Sequence, residues 1–183
     1  ITGIYSLISL ATFYYLNQSL NLVLDSLIVV SILSVMVFGF FNFRKKAKTF
    51  AGDVGSVSMA LILGFLMLKV ILKTGMWEYI LLFMVYGVDS VITIVQRLIK
   101  RENIFKAHRS HLYQYLANEL KWTHLNVSLL FGLIQLCINC IIIYQLSAKN
   151  NLDISLTAIA IITISTLSYF LVKRSVLLRL KDS

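Results

Sequence analysis

The chain has 183 residues, of which 58% are hydrophobic and only 14% charged, and its mean hydropathy is +0.83. Soluble domains are nearer roughly 45–50% apolar and about 25% charged, so composition excludes an ordinary water-soluble domain and predicts an all-α integral membrane protein. The net charge of +9 would point to nucleic acid in a soluble protein; here the positive-inside rule accounts for it, and no nucleic-acid partner is expected.

A membrane-crossing helix needs about 20 mostly apolar residues, and six stretches qualify. In chain order they run over about 1–17, 22–42, 54–72, 76–96, 125–146 and 154–172. The runs are too long and do not alternate, so no β-barrel competes. Basic residues sort the connections. Arg44, Lys45, Lys46 and Lys48 lie in the loop at about 43–53. Arg97, Lys100, Arg101, Lys106, Arg109 and Lys121 lie in the segment at about 97–124, and Lys173, Arg174, Arg179 and Lys181 in a tail over 173–183. Only Lys69, Lys73 and Lys149 fall on the other side, so the first group is expected to be cytoplasmic. The first residue is Ile and no signal peptide precedes it, so the chain reads as the C-terminal part of one larger polytopic bundle.

Few residues in so apolar a chain can carry chemistry. In "FAGDVGSVS" (50–58), Asp53 lies between Gly52 and Gly55, at the cytoplasmic mouth of the third span. Glycines permit unusual φ and close approach, and the first amides of a helix are an anion site. An acid there assists a phosphate only through a divalent cation, so one reading is an Mg²⁺–phosphate site with Ser56 nearby. The other is that Asp53 or Ser56 is an N-cap. "KAHRSHLYQ" (106–114) supplies His108, Arg109 and His111 on the same side. Arginine and histidine suit phosphate binding and proton transfer, but a basic juxtamembrane helix held by anionic lipid has the same composition. In the fourth span Asp89, Thr93 and Arg97 are spaced to share a helix face, and an acid at that depth faces a cavity or a partner helix. Asp25 and Glu78 read as interfacial, and residues 112–121 as an amphipathic surface helix. Cys137 and Cys140 form a lone CxxC in an apolar run, a poor zinc signal, and the GxSxG, GxxxxGK and HExxH patterns are absent.

"GDVGS", "VDSVITIVQRL" and "AHRSHLYQ", in this order, together resemble the polyprenyl-phosphate N-acetylhexosamine-1-phosphate transferases, glycosyltransferase family four, over about residues 1–146. The resemblance is nearest to the undecaprenyl-phosphate N-acetylglucosamine-1-phosphate transferase branch. It implies transfer of an N-acetylhexosamine-1-phosphate from a UDP-sugar to undecaprenyl phosphate, with release of UMP, at the cytoplasmic face of a bacterial inner membrane. It further implies Mg²⁺, with Mn²⁺ able to replace it, held by Asp53 as the catalytic acid. By the same resemblance His108, Arg109 and His111, with Gly52, Gly55 and Ser56, would contact the nucleotide sugar, and Asp89 and Arg97 would line or brace the cavity. Membrane lipid is the other expected partner, and a homo-oligomer is left open. The family's two N-terminal acidic motifs are not in these residues, so the chain alone is expected to be inactive. "HRSH" departs from the triple-histidine loop of the muramoyl-pentapeptide branch, which argues against that substrate. The rival from composition alone is a transporter or channel segment with Asp89 as its ion or proton site.

Overall fold

A computed structural model of the protein describes residues 2–44, 47–104, 106, 110–147 and 151–181. Its elements, in order, are α1 (Thr2–Leu20), α2 (Asp25–Asn42), α3 (Gly52–Thr74), a 3₁₀ segment (Trp77–Phe83) that runs into α4 (Met84–Ile99), a single turn α5 (Leu112–Gln114) that continues as a π turn (Tyr115–Glu119), α6 (His124–Ser147) and α7 (Asn151–Lys181). There is no strand among the described residues.

Five segments are long and apolar enough to cross a bilayer: Asp25–Asn42, Gly52–Thr74, Trp77–Ile99, His124–Gln145 and Ile154–Leu180. The sixth expected span, α1, is helical but falls short in apolarity. The reason is its position. It packs on α2, α3 and α6 and points Ser6, Ser9, Thr12 and Asn17, all buried, into the bundle. A helix shielded by protein can carry hydroxyls and amides that a lipid-facing helix cannot. Leu10 and Phe13 of α1, Ile28 of α2, Leu66 and Val70 of α3 and Ile142 of α6 are fully buried together around it. A Cβ at Gly132 of α6 would lie 2.8 Å from Ile8 Cδ1, so glycine is what lets α6 approach α1 this closely.

Local chemistry sets the turns. Asn17 closes the α1–α2 hairpin: its carbonyl accepts the Leu22 and Val23 amides, and its Nδ2 donates to Asp25 Oδ1 at 2.6 Å. Asp25 is therefore part of a turn lock as well as exposed. Gly75 ends α3 in the left-handed region (φ 70), its amide bonded to Ile71 O. Glu78 is buried and accepts from Ser155 near the start of α7. The span at 77–99 is not one continuous helix. It changes from 3₁₀ to α at Phe83, and Gln135 of α6 repairs the ladder there by accepting the Val85 amide (2.9 Å) and donating to Leu81 O (3.0 Å). Helix α7 continues to Lys181, so residues 173–181 are helix rather than a separate tail. Cys137 and Cys140 are free and exposed on the outer surface of α6.

Candidate functional site

The C-terminal ends of α4 and α7, with the segment that follows α4, enclose a buried polar cluster. Helix α4 is strongly amphipathic, and its polar face is turned inward: Asp89, Thr93 and Arg97 are all nearly inaccessible. Its C-terminus explains how the next segment is placed. Arg101 takes a left-handed conformation (φ 57), its amide bonds Leu98 O, and the Glu102 amide bonds Arg97 O at 2.9 Å. This is the Schellman arrangement, usually made with glycine. It folds Glu102 back onto Arg97, whose Nε donates to Glu102 Oε2 at 3.1 Å. The same guanidinium donates to the carbonyls of Asn103 and Ile104. Arg97 thus fixes residues 102–104 and lines a cavity of about 750 Å³.

Asp89 anchors the other end of the segment. Its Oδ1 accepts the Leu112 amide at 2.8 Å, and its Oδ2 lies 3.6 Å from His111 Nδ1. The His111 ring stacks on Tyr113, centroids 5.5 Å apart and nearly parallel. Burial, reinforced by the nearby Tyr86 and Asp89, raises the Tyr113 hydroxyl above the usual tyrosine range. On α7, Lys173 is buried and donates to Gln96 Oε1 (2.9 Å), Ser110 O (3.2 Å) and Tyr169 OH (2.9 Å). Those three acceptors use the whole ammonium. Tyr169 OH in turn lies 3.4 Å from Thr93 Oγ1. One acid and one lysine, both buried, therefore tie residues 110–112 to α4 and α7.

The glycine–acid stretch lies elsewhere in the bundle. Gly52 opens α3 with φ 60, a conformation for which glycine is suited, and a Cβ there would meet no atom. Gly55 is ordinary helix. The N-cap residue is Ala51, with no side-chain cap, and the Ser56 hydroxyl bonds back to Gly52 O at 2.8 Å. Neither Asp53 nor Ser56 is therefore an N-cap. Asp53 is exposed in the first turn, without a side-chain hydrogen bond or ion pair among the described residues. The principal neighbours of α3 are α1 and the 3₁₀ segment, whereas α4 packs on α6 and α7.

Of the residues predicted for a site, Asp89 and His111 thus come together; Arg97 stands about two turns further along α4, in the cavity wall, which Asp89 does not line, while Asp53, Gly52, Gly55 and Ser56 form a separate exposed group. His108 and Arg109 lie outside the described residues. No group of three or more His, Cys, Asp or Glu side chains assembles among the described residues. Sequence reasoning missed Lys173, Tyr169 and Gln96. The available signal was that Tyr169 and Lys173 are four residues apart, one helix face, opposite the polar face of α4. Comparisons with protein families, curated proteins and solved structures gave no match to this chain.

Proposed function

We propose that the chain belongs to a membrane enzyme that transfers an N-acetylhexosamine-1-phosphate from a UDP-sugar to a polyprenyl phosphate, undecaprenyl phosphate in bacteria. In this proposal α1 is a sixth crossing: its 19 residues rise about 28 Å against a hydrocarbon core of about 30 Å. The loop before α3 and the segment after α4 then share the cytoplasmic face of the inner membrane. A terminal oxygen of the lipid phosphate attacks the β-phosphorus of the UDP-sugar. The bond from that phosphorus to the bridging oxygen breaks, and its electron pair leaves with UMP.

The observation that carries the proposal is Asp53. Its carboxylate is exposed in the first turn of α3, no side chain caps that turn, and "GDVGS" is one of the three stretches that resemble the transferases. One carboxylate without a surrounding ligand set does not fit a caged resident ion. It does fit Mg²⁺ or Mn²⁺ carried in on a diphosphate, which supplies oxygens of its own. The bound ion would neutralise charge on the diphosphate during phosphoryl transfer. Asp53 holds and orients that complex, and the uncapped amides of α3 face the same phosphate oxygens. His108 and Arg109 are assigned to the diphosphate by the resemblance. His111, turned toward Asp89 and Tyr113, positions the segment that carries them. A transporter centred on Asp89 has less support, because that carboxylate already accepts a backbone amide and faces an imidazole.

The test is UMP release from UDP-N-acetylglucosamine and related UDP-N-acetyl sugars by membranes containing the protein, with undecaprenyl phosphate added. Asp53→Asn is expected to lower turnover by about 100-fold or more, the scale of losing one electrostatic contact to a developing charge. Undiminished turnover would remove Asp53 from the mechanism. Absence of UMP release with every such sugar would remove the transferase.

A further inference from the structure

The cavity of about 750 Å³ at the C-terminal ends of α4 and α7 has two unlike halves. One is cationic: Lys100 and Arg174 line it and are exposed, and neither has an acidic partner among the described residues. The only acid in the lining among the described residues, Glu102, is already paired with Arg97. Ser110 also lines this space, and its hydroxyl is buried without a hydrogen-bond partner among the described residues. Buried hydroxyls are seldom left so, and a turn of the Ser110 side chain about its Cα–Cβ bond would let this one donate to an oxygen in the cavity. The other half is apolar. Phe170, Leu177 and Leu178 line the same cavity and are exposed, so they continue the apolar outer surface of α7.

From this we propose that the cavity binds an anionic phospholipid, with its phosphate at Lys100, Arg174 and Ser110 and an acyl chain along Phe170, Leu177 and Leu178. The chemistry shared with any soluble ligand is the phosphate. A free phosphate would meet the cations but leave the apolar wall against water, whereas a lipid covers both halves. The volume suits a headgroup and the start of its chains. Basic side chains at the end of a membrane helix are also where anionic headgroups concentrate. The site is distinct from Asp53, since α3 is not among the principal neighbours of α4 or α7. It stands independently of the transferase proposal, because its readout is a retained lipid and not UMP.

The experiment is native mass spectrometry of the detergent-purified protein after exposure to phosphatidylglycerol or phosphatidylcholine. The wild type is expected to retain one phosphatidylglycerol and no phosphatidylcholine. The double variant Lys100→Gln, Arg174→Gln should weaken retention by about tenfold or more, since each basic residue near a membrane surface contributes several-fold to anionic lipid binding. Both positions are exposed, so folding is not at stake, and an unchanged melting curve checks this. Ser110→Ala should weaken retention a few-fold, the loss of one hydrogen bond. Lys69→Gln with Lys73→Gln, far along α3, should behave as wild type. Equal retention by the double variant overturns the proposal, as does equal retention of phosphatidylcholine. Displacement of the lipid by excess inorganic phosphate overturns it too, by marking a site for a free anion.

Discussion

At the residue scale, the structure depends most on Gln135. It is fully buried, and its amide accepts from Tyr5 OH and the Val85 amide and donates to Leu81 O and Asn139 Oδ1. Asn139 passes the chain on to Thr12 of α1. An average hydrogen bond between membrane helices is worth only about 0.6 kcal/mol. Gln135 does more, because without it a backbone amide and carbonyl at the break before α4 are stranded, and an unsatisfied buried group costs about 1–3 kcal/mol. Gln135→Leu is therefore expected to lower stability by about 2–4 kcal/mol, read from reversible unfolding in mixed micelles. Asn139→Leu leaves both backbone groups satisfied and should cost less. An equal loss for the two would show that the break is not what Gln135 supports. None of this was legible in the sequence, where Gln135 and Asn139 are two amides in the apolar run "GLIQLCINC" with nothing to show what they face. Asp89 was legible, because acids are rare at that depth. Lys173 was not: it stands beside Arg174 at the end of an apolar run and looks like the first residue of a tail.

At the element scale, the long helices were legible because a run of about 20 apolar residues has few other solutions. The ends and interruptions were not. The change from 3₁₀ to α at Phe83 falls within "EYILLFMVYG", which has no proline and no glycine at the break. The π turn over Tyr115–Glu119 interrupts what reads as a plain amphipathic helix. The end of α4 is similar: Arg101 occupies a left-handed position that glycine would normally fill. A side chain there is disfavoured by Cβ sterics, and glycine is not. Arg101→Gly is expected to gain about 0.5–1 kcal/mol in the same unfolding measurement, because the turn geometry is kept and its strain removed. A loss of stability would mean that the Arg101 side chain contributes contacts that outweigh the strain. The turn matters to the cavity, since it is what returns Glu102 to Arg97.

At the scale of the whole molecule, the question is how many times the chain crosses, and α1 decides it. Hydropathy counts five crossings and sets α1 aside, because its polar residues lower the average. Packing places those same residues in the bundle interior, in contact with α2, α3 and α6. Hydropathy cannot separate a helix that is polar because it is wet from one that is polar because neighbours surround it. Charge does not separate the cases either, because no basic residue precedes Arg44; it bears only on the direction of the other helices. Fourteen of the 17 basic residues (Arg44, Lys45, Lys46, Lys48, Arg97, Lys100, Arg101, Lys106, Arg109, Lys121, Lys173, Arg174, Arg179 and Lys181) lie on or next to connections, or at the C-terminal end of α7, that alternate along the chain with the ends near Lys69, Lys73 and Lys149. In the proposed six-crossing topology, residue 121 and the start of α1 are cytoplasmic and residue 75 is outside. With Cys137 and Cys140 replaced by serine, single cysteines at Thr2, Gly75 and Lys121 can be labelled with a membrane-impermeant maleimide. In intact cells only Gly75→Cys should react; after the membrane is opened, Thr2→Cys and Lys121→Cys should react as well. Labelling of Thr2→Cys from outside would keep the direction of the other five helices and withdraw the crossing of α1. Labelling of Lys121→Cys from outside would invert the bundle, and with it the cytoplasmic placement of both Asp53 and the lipid-phosphate cavity.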